Sequence, residues 1–434
     1  MNSFLTELFQ ILNKDYQYAV LRNYEKLPVD NDSRDIDILI LRCDLKKIRK
    51  VLERLTAQTG NYILYQYQDH QFFTFVAGNT TGGFVQLDFQ FNFAWLGIDL
   101  LDERKVLKKR LFNGKIYHLP PDLTFLPKYL YSRILGAVYP KKYQIVRKIA
   151  FAYGGEYLES TLKEISLGGD SRYWDRARKW TLRLRSFFSA FCHRPTRAVY
   201  FMMEFLTRYV LDLFWRRGLM ISFSGPDGCG KTTVIELLRE RLAVNPPILF
   251  HFRPSLLPNL GEVAHKAGAV KEVDRNFDRP HRGQRKGLIS SLIRLAYYSC
   301  DYVIGYAVRI LPLQQRKHIV FFDRYFTDII VDGERSSIFL NYRFLARLRH
   351  FIPGCQYNFL FRVDPERILN RKQELSGEAI ERIYSRLEYL ASCDGSYYWI
   401  DNNGTPEQAV EQILEILLCC QHRKCSGFLP FSSK

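Results

Sequence analysis

Hydrophobic and polar positions alternate with a short period in the first 120 residues. Apolar runs with a period near two, bounded by polar turns, are typical of strands. This pattern predicts strands at 18–21, 36–40, 62–67, 71–76 and 84–91 and helices at 3–13 and 45–55. Leu119-Pro120-Pro121 then interrupts it. We therefore expect an α+β domain over residues 1–120.

A different pattern begins at residue 218, where strands alternate with helices. Strands are predicted at 219–223, 247–252, 319–322, 357–361 and 397–400, and helices at 233–238, 288–310 and 406–418. The strands are continuous apolar runs, as strands buried on both faces require. The alternation predicts an α/β domain over 218–422, with a parallel sheet, helices on both faces and its ligand at the carboxyl ends of the strands. Residues 423–434 are interpreted as a tail.

The segment between these domains, 121–217, is predicted to be a helical connector. Its stretch 172–217 carries eleven Arg or Lys against three Asp or Glu, mixed with Trp, Phe and Tyr. One interpretation is that the helices pack their aromatic residues between the two domains and point their arginines outward. The others are that the stretch lies on an anionic membrane surface or binds the phosphates and bases of nucleic acid.

Composition narrows the class of protein. The chain has 434 residues, 47% of them hydrophobic, which indicates globular domains. Its formal net charge of +18 suits polyanionic partners such as nucleotides or phosphorylated glycans. The nine cysteines form no CxxC pair, which favours a reduced, cytoplasmic protein. The run Cys419 to Cys425 could bind a metal, although an apolar helix end followed by a tail is the preferred interpretation.

Membrane segments are not expected. The first residues do not form a signal peptide, and no run of about 18 uncharged apolar residues exists. Peripheral association with the inner membrane stays open as an expectation, because of the basic aromatic stretch.

The clearest chemical motif is the glycine-rich run Gly225-Pro226-Asp227-Gly228-Cys229-Gly230-Lys231-Thr232-Thr233, between a predicted strand and a predicted helix. In that setting, backbone N–H groups and the helix N-terminus bind phosphates. The loop from Gly225 through Gly228 and Gly230 to Thr233 is therefore predicted to bind nucleotide. Lys231 is expected to reach the β- and γ-phosphates of ATP, and Thr232 to hold Mg²⁺.

Further charged residues follow the other predicted strands. Asp323 and Arg324 end the third strand, where a carboxylate can complete the Mg²⁺ shell and an arginine can hold a phosphate. Arg253 ends the second strand. Arg367 and Arg371, four residues apart on a predicted helix, are interpreted as a lid over the transferred phosphoryl group, with a solvated basic helix as the alternative.

Residues 218–418 resemble the thymidylate kinase family of P-loop kinases. The resemblance is carried by the glycine-rich loop, Asp323-Arg324-Tyr325, Asp364-Pro365-Glu366 with Arg371, and the run 401–407 before the last helix. It implies ATP as phosphoryl donor, an acceptor facing Asp227, and acceptor contacts from Arg253, Arg324 and Tyr325. Lys231, Asp227, Asp323, Arg324 and Arg371 are then the expected catalytic residues.

The acceptor is expected to differ from thymidylate. The family carries Arg-Glu-Pro-Gly after the second strand, whereas this chain has Arg253-Pro254-Ser255-Leu256. The domain is similar to thymidylate-kinase-like proteins encoded with bacterial surface-polysaccharide enzymes, which implies a glycan or sugar-linked acceptor. A sugar hydroxyl must lose a proton, so Asp227 or Asp323 would serve as base. The alternatives are a thymidylate or nucleoside monophosphate kinase, and a bifunctional nucleotidyltransferase-kinase or nucleotide-switched binding protein.

The first domain carries its own carboxylates. Asp35 and Asp37 lie two apart on a predicted strand and so share a face, and Asp88 lies on another strand. Three carboxylates on neighbouring strands could hold Mg²⁺ for nucleotidyl transfer. Residues 1–120 resemble the nucleotidyltransferase fold of the DNA polymerase β superfamily, although the family's Gly-Ser pair is absent before Asp35. Active transfer, a degenerate domain of that fold and an unrelated α+β domain all remain as interpretations.

Overall fold

The structure of the protein is a computed structural model. It describes residues 2–31, 33–81, 83–96, 98–135, 144–154, 179–214, 218–258, 287–371 and 375–426. Parts of two expected segments fall outside these ranges: residues 172–178 and 215–217 of the basic aromatic stretch, and residues 427–434 of the tail. Within the described helices, none is both long and apolar enough to cross a membrane.

The chain divides into two compact units. The first comprises residues 1–214 and 417–434, and the second comprises residues 215–416. This division differs from the expected one, because the connector is not a separate domain. Leu123, Leu126 and Leu130 lie in one apolar cluster with Val106 and Leu107, so the connector's first helix shares a core with the preceding strands.

The described residues of the first unit form the following strands and helices. The strands are β1 (Tyr18–Val20), β2 (Asp35–Ile40), β3 (Tyr62–Gln68), β4 (Phe72–Asn79), β5 (Gly83–Gln90), β6 (Phe93–Trp95), β7 (Ile98–Leu101), β8 (Leu111–Phe112) and β9 (Tyr117–His118). The helices are α1 (Asn2–Asp15), α2 (Leu45–Gln58), α3 (Glu103–Leu107), α4 (Pro121–Leu135), α5 (Gln144–Gly154), α6 (Lys179–His193) and α7 (Pro195–Phe214), with a 3₁₀ turn at Arg42–Asp44.

Seven of these strands form one mixed sheet in the order β3-β4-β5-β2-β1-β9-β8. β2 and β5 run parallel, and their register pairs Asp37 with Asp88. Alternate residues of β2, such as Ile36, Ile38 and Ile40, are buried in a core that also receives α1 and α2. The opposite face of β2 therefore carries the aspartates, as the period of two predicts.

The second unit is built on a five-stranded parallel sheet. Its strands are β10 (Met220–Ser224), β11 (Ile248–His251), β12 (Val320–Asp323), β13 (Tyr357–Arg362) and β14 (Tyr397–Asp401). Its helices are α8 (Lys231–Arg241), α9 (Leu288–Gly305), α10 (Leu311–Gln315), α11 (Phe326–Val331), α12 (Tyr342–Leu348), α13 (Pro365–Arg371), α14 (Gly377–Cys393) and α15 (Pro406–Ser426). A π-helical turn at Tyr306–Ile310 follows α9, and 3₁₀ turns lie at Gly333–Ser336 and Arg349–Phe351.

The strand order β11-β12-β10-β13-β14 determines where a ligand fits. The chain leaves β10 toward one edge of the sheet and later returns across it to β13, so right-handed connections put helices on both faces. The expected α/β sheet is thus confirmed for the second unit. The connection after β10 lies where the strand order reverses, which is the usual ligand position in such sheets.

The last helix, α15, contributes to both units by sequence. Its residues from Leu417 onward group with the first unit. There the backbone N–H of Ile63 on β3 donates to Nδ1 of His422 at 3.2 Å, and Gln66 donates to the carbonyl of Cys425 at 2.9 Å. The run expected to be a helix end with a tail is therefore helical to Ser426 and packs on β3. The only cluster of metal-type ligands among the described residues lies elsewhere, at Asp35, Asp37 and Asp88.

Candidate functional site

The loop between β10 and α8 takes the conformation that its glycines allow. Gly230 has φ of +84° and forms the N-cap of α8. A Cβ atom on Gly230 would lie 2.7 Å from Nδ2 of Asn402, so the amide of Asn402 would have to shift. Glycine is therefore favoured there by the backbone angle and by the close approach of Asn402.

Lys231 is buried beneath this loop, with 6% of its surface exposed. Its ammonium group donates to the carbonyls of Gly225 and Pro226, each at 2.8 Å. Lys231 begins α8 at the end of the loop, and these bonds tie its side chain to the start of the loop. A buried ammonium group beside a glycine-rich loop at a helix N-terminus is suited to a polyphosphate.

A cavity of about 630 Å³ opens above the loop at the carboxyl ends of the strands. It is lined by Asp227, Gly228, Gly230, Lys231, Thr232, Thr233, Asp323, Arg324, Arg335, Arg371, Asn402, Gly404 and Pro406. The structure thus brings together the expected lysine, both threonines, both aspartates, Arg324 and Arg371. Gly225 lies outside the lining and contributes through its carbonyl.

Asp227 is the centre of a charge network. One of its carboxylate oxygens accepts from Arg324 and the other from Arg335. Burial alone would raise the pKa of Asp227, but Arg324, Arg335 and Lys231 together hold that pKa below its ordinary value. A carboxylate with both oxygens bound to guanidinium groups is a weak proton acceptor. Of the two expected bases, Asp227 is therefore the less suitable, and its geometry is that of an arginine-positioning residue.

Arg324 is held on two sides. Besides Asp227, it donates at 3.2 Å to Asp328, a fully buried carboxylate that also accepts from Ser224 at 2.7 Å. Burial raises the pKa of Asp328, against the opposing effects of Arg324 and Lys231. Arg324 itself has φ of +72°, a strained value for a side chain other than glycine. The two carboxylates fix this guanidinium group at the edge of the cavity. The strained backbone angle belongs to the same residue, at the end of β12.

Asp323 has a different environment. Its Oδ2 lies 3.4 Å from Nδ1 of His251, whereas its Oδ1 is buried without a hydrogen-bond partner. An unsatisfied buried carboxylate oxygen is costly unless a ligand completes it. Asp323 and the Thr232 hydroxyl line the same cavity, and hard oxygen ligands of this kind are those that Mg²⁺ prefers. These two residues fit the expected magnesium site.

Asn402 and Arg335 also line the cavity, and neither of them has a role predicted from the sequence. Asn402 follows β14; its Nδ2 donates to the Cys229 carbonyl at 2.7 Å, and its buried Oδ1 has no partner. In the sequence, its run 401–407 contributes only to the family likeness. Arg335 lies in a 3₁₀ turn, and no local motif marks it; only its spacing after Arg324 could have suggested it.

Three expected residues besides Gly225 lie outside the cavity. Arg253 forms an ion pair with the buried Asp301 at 3.0 Å, and Tyr325 donates to the carbonyl of Pro353 at 2.6 Å. Arg367 donates to the carbonyl of Asn403. The acceptor roles of Arg253 and Tyr325, and a lid role for Arg367, therefore have no support from the geometry, because their polar atoms are bound elsewhere.

The carboxylates of the first unit do converge. Ligand atoms of Asp35, Asp37 and Asp88 all lie within 4.8 Å of one another. Arg22 binds Asp37 at 2.6 Å. Burial raises the pKa of Asp37 to about 6, with Arg22 opposing and the two neighbouring aspartates adding to the rise. The distances fit a metal site, although Arg22 already neutralises part of the charge of the three carboxylates. Nucleotidyl transfer stays a prediction.

Comparison with known proteins adds distant structural likenesses. No family model matches the sequence, and no curated protein matches it. The chain is similar to a thymidylate kinase from Ehrlichia chaffeensis, with 19% identity and a TM-score of 0.31 over 46% of this chain and 98% of that one. It is also similar to the thymidylate kinase from Candida albicans, with 19% identity and a TM-score of 0.35 over 48% of this chain and 93% of that one. At this distance, a function has to be argued from the site itself.

Proposed function

We propose that the second unit is an ATP- and Mg²⁺-dependent kinase that phosphorylates a glycan or sugar-linked acceptor, in the synthesis of bacterial surface polysaccharide. The observation that carries the kinase proposal is the convergence of Lys231, Thr232, Asp323, Arg324 and Arg371 on one cavity at the carboxyl ends of parallel strands. These are the parts that phosphoryl transfer needs: a phosphate-binding loop, a metal-binding carboxylate and cations for the transferred group.

The position of each residue in the cavity indicates its role. The loop and Lys231 would bind the β- and γ-phosphates, and Thr232 with Asp323 would hold Mg²⁺, which neutralises charge on the phosphates. Arg324, Arg335 and Arg371 would stabilise the charge that builds on the transferred phosphoryl group. Because Asp227 and Asp328 fix Arg324 beforehand, little reorganisation is needed during the reaction.

The acceptor proposal rests on two residues that are not among the described residues lining the cavity. Arg253 and Tyr325, which the family resemblance assigns to the acceptor, are bound to Asp301 and Pro353 instead. An acceptor hydroxyl would attack the γ-phosphorus as the bond to ADP breaks, and its proton would pass to an oxygen of the transferred phosphoryl group late in a loose transition state. Such a reaction asks little of a base, which agrees with the low pKa of Asp227.

A nucleoside monophosphate is the second candidate acceptor. The observation that favours it is the pair of guanidinium groups, Arg324 and Arg335, on one side of the cavity. Two arginines can bind an acceptor phosphate bidentately. In this case the attacking group is already ionised, and no proton has to be removed.

The experiment compares the two acceptors directly. The purified protein is incubated with γ-labelled ATP and Mg²⁺, and with thymidylate, other nucleoside monophosphates, or oligosaccharides and lipid-linked saccharides from a polysaccharide-producing bacterium. We expect label in the saccharide fraction and none in nucleoside diphosphate. Efficient labelling of thymidylate would sink the saccharide proposal.

Two variants test the site itself. Lys231→Ala should abolish transfer to whichever acceptor is labelled, and unchanged turnover would remove the loop from the chemistry. Arg371→Ala should lower transfer by about a hundredfold, whereas its matched control Arg382→Ala, on the exposed side of α14, should not. If Asp35→Ala with Asp37→Ala also removes transfer, the proposal of a bifunctional or nucleotide-switched protein replaces that of an independent kinase.

A further inference from the structure

The three carboxylates of the first unit have the spacing of a metal site. Asp37 of β2 and Asp88 of β5 are partners in the parallel register, and Asp35 lies two residues before Asp37 on the same face. Their ligand atoms lie within 4.8 Å of one another. The resemblance to nucleotidyltransferases implies Mg²⁺ at such a cluster. Whether the ion fits depends on the charges and hydrogen bonds that surround these carboxylates.

A cation of the chain itself contacts this cluster. Arg22 follows β1, and its Nε lies 2.6 Å from Oδ2 of Asp37. Asp37 is buried and the Arg22 side chain is 30% exposed, so water screens the pair only in part. Mg²⁺ binds carboxylate oxygens at about 2.1 Å. The arginine nitrogen therefore competes for the same oxygen, and its positive charge repels a divalent ion.

Asp88 is held by uncharged donors. Its Oδ1 accepts from the hydroxyl of Thr74, and its Oδ2 accepts from Nε2 of Gln86 at 2.9 Å. Hydrogen bonds of this kind orient a carboxylate and are compatible with a bound metal. The contact that distinguishes this cluster from a metal site is therefore the ion pair between Arg22 and Asp37.

The chain around Arg22 is bound to β2 beside the aspartates. The backbone N–H of Leu21 donates to the carbonyl of Asp37 at 2.9 Å. At the other end of the same loop, the hydroxyl of Ser33 donates to the carbonyl of Asp35 at 2.6 Å. Backbone contacts as well as its own charge thus hold Arg22 at the cluster, and a metal ion would have to displace a side chain whose backbone is fixed there.

The candidate magnesium site of the second unit has a different character. Oδ1 of Asp323 is buried without a hydrogen-bond partner, and Oδ2 lies 3.4 Å from Nδ1 of His251. An added cation would satisfy a buried acceptor there, and leaving that acceptor unsatisfied is costly. At Asp37, by contrast, a cation of the chain already binds the carboxylate. The two sites therefore differ in their need for a metal.

We propose that Arg22 takes the place of a metal ion in the first unit, so that the cluster of Asp35, Asp37 and Asp88 neither binds nor needs Mg²⁺. The guanidinium group supplies the positive charge that the three carboxylates require. Nucleotidyl transfer by bound Mg²⁺ is then not the chemistry of this unit, because the metal ions that such a reaction uses have no place at Asp37. This proposal is independent of the kinase proposal, since it uses no residue of the cavity.

The first test asks whether the native cluster binds a metal. The full chain and its variant Asp88→Asn are titrated with Mn²⁺, a paramagnetic substitute for Mg²⁺, and the free ion is measured by electron paramagnetic resonance. A buffer of about pH 8 keeps Asp37 ionised, because its pKa is about 6. Sites elsewhere in the chain are common to both proteins. We expect the same number of sites with Kd below about 1 mM in both. A site that Asp88→Asn removes would overturn the proposal.

The second test asks for a gain of binding. Arg22→Gln should add one Mn²⁺ site per chain, with an affinity about a hundredfold or more above that of the native cluster, because the contacting cation is gone. Adding Asp88→Asn should remove this site again. The matched control is Arg34→Gln, which removes an exposed arginine next to Asp35 and should add no site. If Arg22→Gln adds no site, or if Arg34→Gln adds one of equal affinity, the proposal is wrong.

A conservative variant separates charge from shape. Arg22→Lys keeps a positive charge beside Asp37, so it should add no Mn²⁺ site. Binding as strong as in Arg22→Gln would show that the charge of Arg22 does not close the cluster, which contradicts the proposal. Circular dichroism shows which variants are folded. Should Arg22→Gln fail to fold, the comparison of the native protein with Asp88→Asn still decides, because it leaves Arg22 in place.

Discussion

Arg253 offers a sharp test of how this site departs from the family it resembles. The resemblance implies that Arg253 holds the acceptor, whereas the structure pairs it with Asp301 at 3.0 Å. Asp301 is fully buried; its other carboxylate oxygen accepts from the backbone N–H of Leu257 at 2.7 Å. The substitution Arg253→Ala would therefore leave a buried carboxylate without its cation.

The expected effect is on stability. Breaking a buried ion pair by removing one partner costs about 3–5 kcal/mol. In a unit of about 200 residues, each kcal/mol lowers Tm by about 2–4 °C, so Tm should fall by about 6–20 °C. Thermal unfolding is followed by circular dichroism, and a fluorescent ATP analogue reports which transition belongs to the second unit. KM for the acceptor should remain within about twofold at temperatures where the variant is folded.

The matched control is Arg309→Ala. Arg309 also ties α9's end to the same loop, through 2.7 Å hydrogen bonds to the carbonyls of Pro254 and Ser255, but it neutralises no buried charge. Its loss should cost about 1–2 kcal/mol. Adding Asp301→Asn to Arg253→Ala should recover part of the lost stability. If Arg253→Ala melts with the native protein and raises KM for the acceptor tenfold, the reasoning is refuted and Arg253 is an acceptor ligand.

Three other predictions concern the cavity. Asp323→Asn should raise the Mg²⁺ concentration needed for half-maximal transfer by about tenfold or more, measured by metal titration, and an unchanged titration curve would exclude Asp323 as a metal ligand. Gly230→Ala should weaken ATP binding by at least about tenfold in calorimetry, since φ of +84° and Asn402 both oppose a Cβ; native affinity would contradict the close approach. Because the folded pKa of Asp227 is lowered, its ion pairs stabilise the protein above its unfolded pKa and this stability is lost as pH falls below about 4. Asp227→Asn should therefore flatten the acid side of the stability profile, and an unaltered profile would show that Asp227 is not the group that titrates.

The sequence predicted the second unit's sheet well, for a clear reason. Runs such as Val320–Asp323 and Tyr357–Arg362 are buried on both faces, so their apolar residues are continuous and their bounds agree with expectation to within about two residues. Asp323 could be placed because it ends a strand, and Lys231 and Thr232 because they begin the helix that follows the glycine-rich loop after β10. Parallel strands bring their carboxyl ends to one edge of the sheet, so position in sequence determines position in the site.

Residues that act through distant partners could not be predicted in this way. Arg335 reaches Asp227 across 108 positions of sequence, and Arg253 finds Asp301 across 48. Neither pairing leaves a local signal, because any of several carboxylates could have served. The direction of Arg197 was missed for the same reason: its partner Glu103 lies 94 residues earlier.

The helical spacing of Val199, Met203, Leu206 and Val210, which are exposed on α7, was present in the sequence. When apolar residues lie on one side of a helix and arginines on the other, the pattern does not say which side is buried. Here the ion pairs of Arg197 with Glu103 and of Glu204 with Arg42 decide the orientation, and they depend on tertiary structure.

The position of α15 has a consequence for how the chain is made. The first unit is discontinuous: Ile63 is bound by His422, 359 residues later, and Leu417 and Leu418 are buried on that side of the division. During synthesis, β3 therefore lacks this covering helix until every residue of the second unit has left the ribosome. A chain cut between the units, after residue 214 or after residue 416, would separate β3 from this helix, so the first unit cannot be separated from the second by simple truncation.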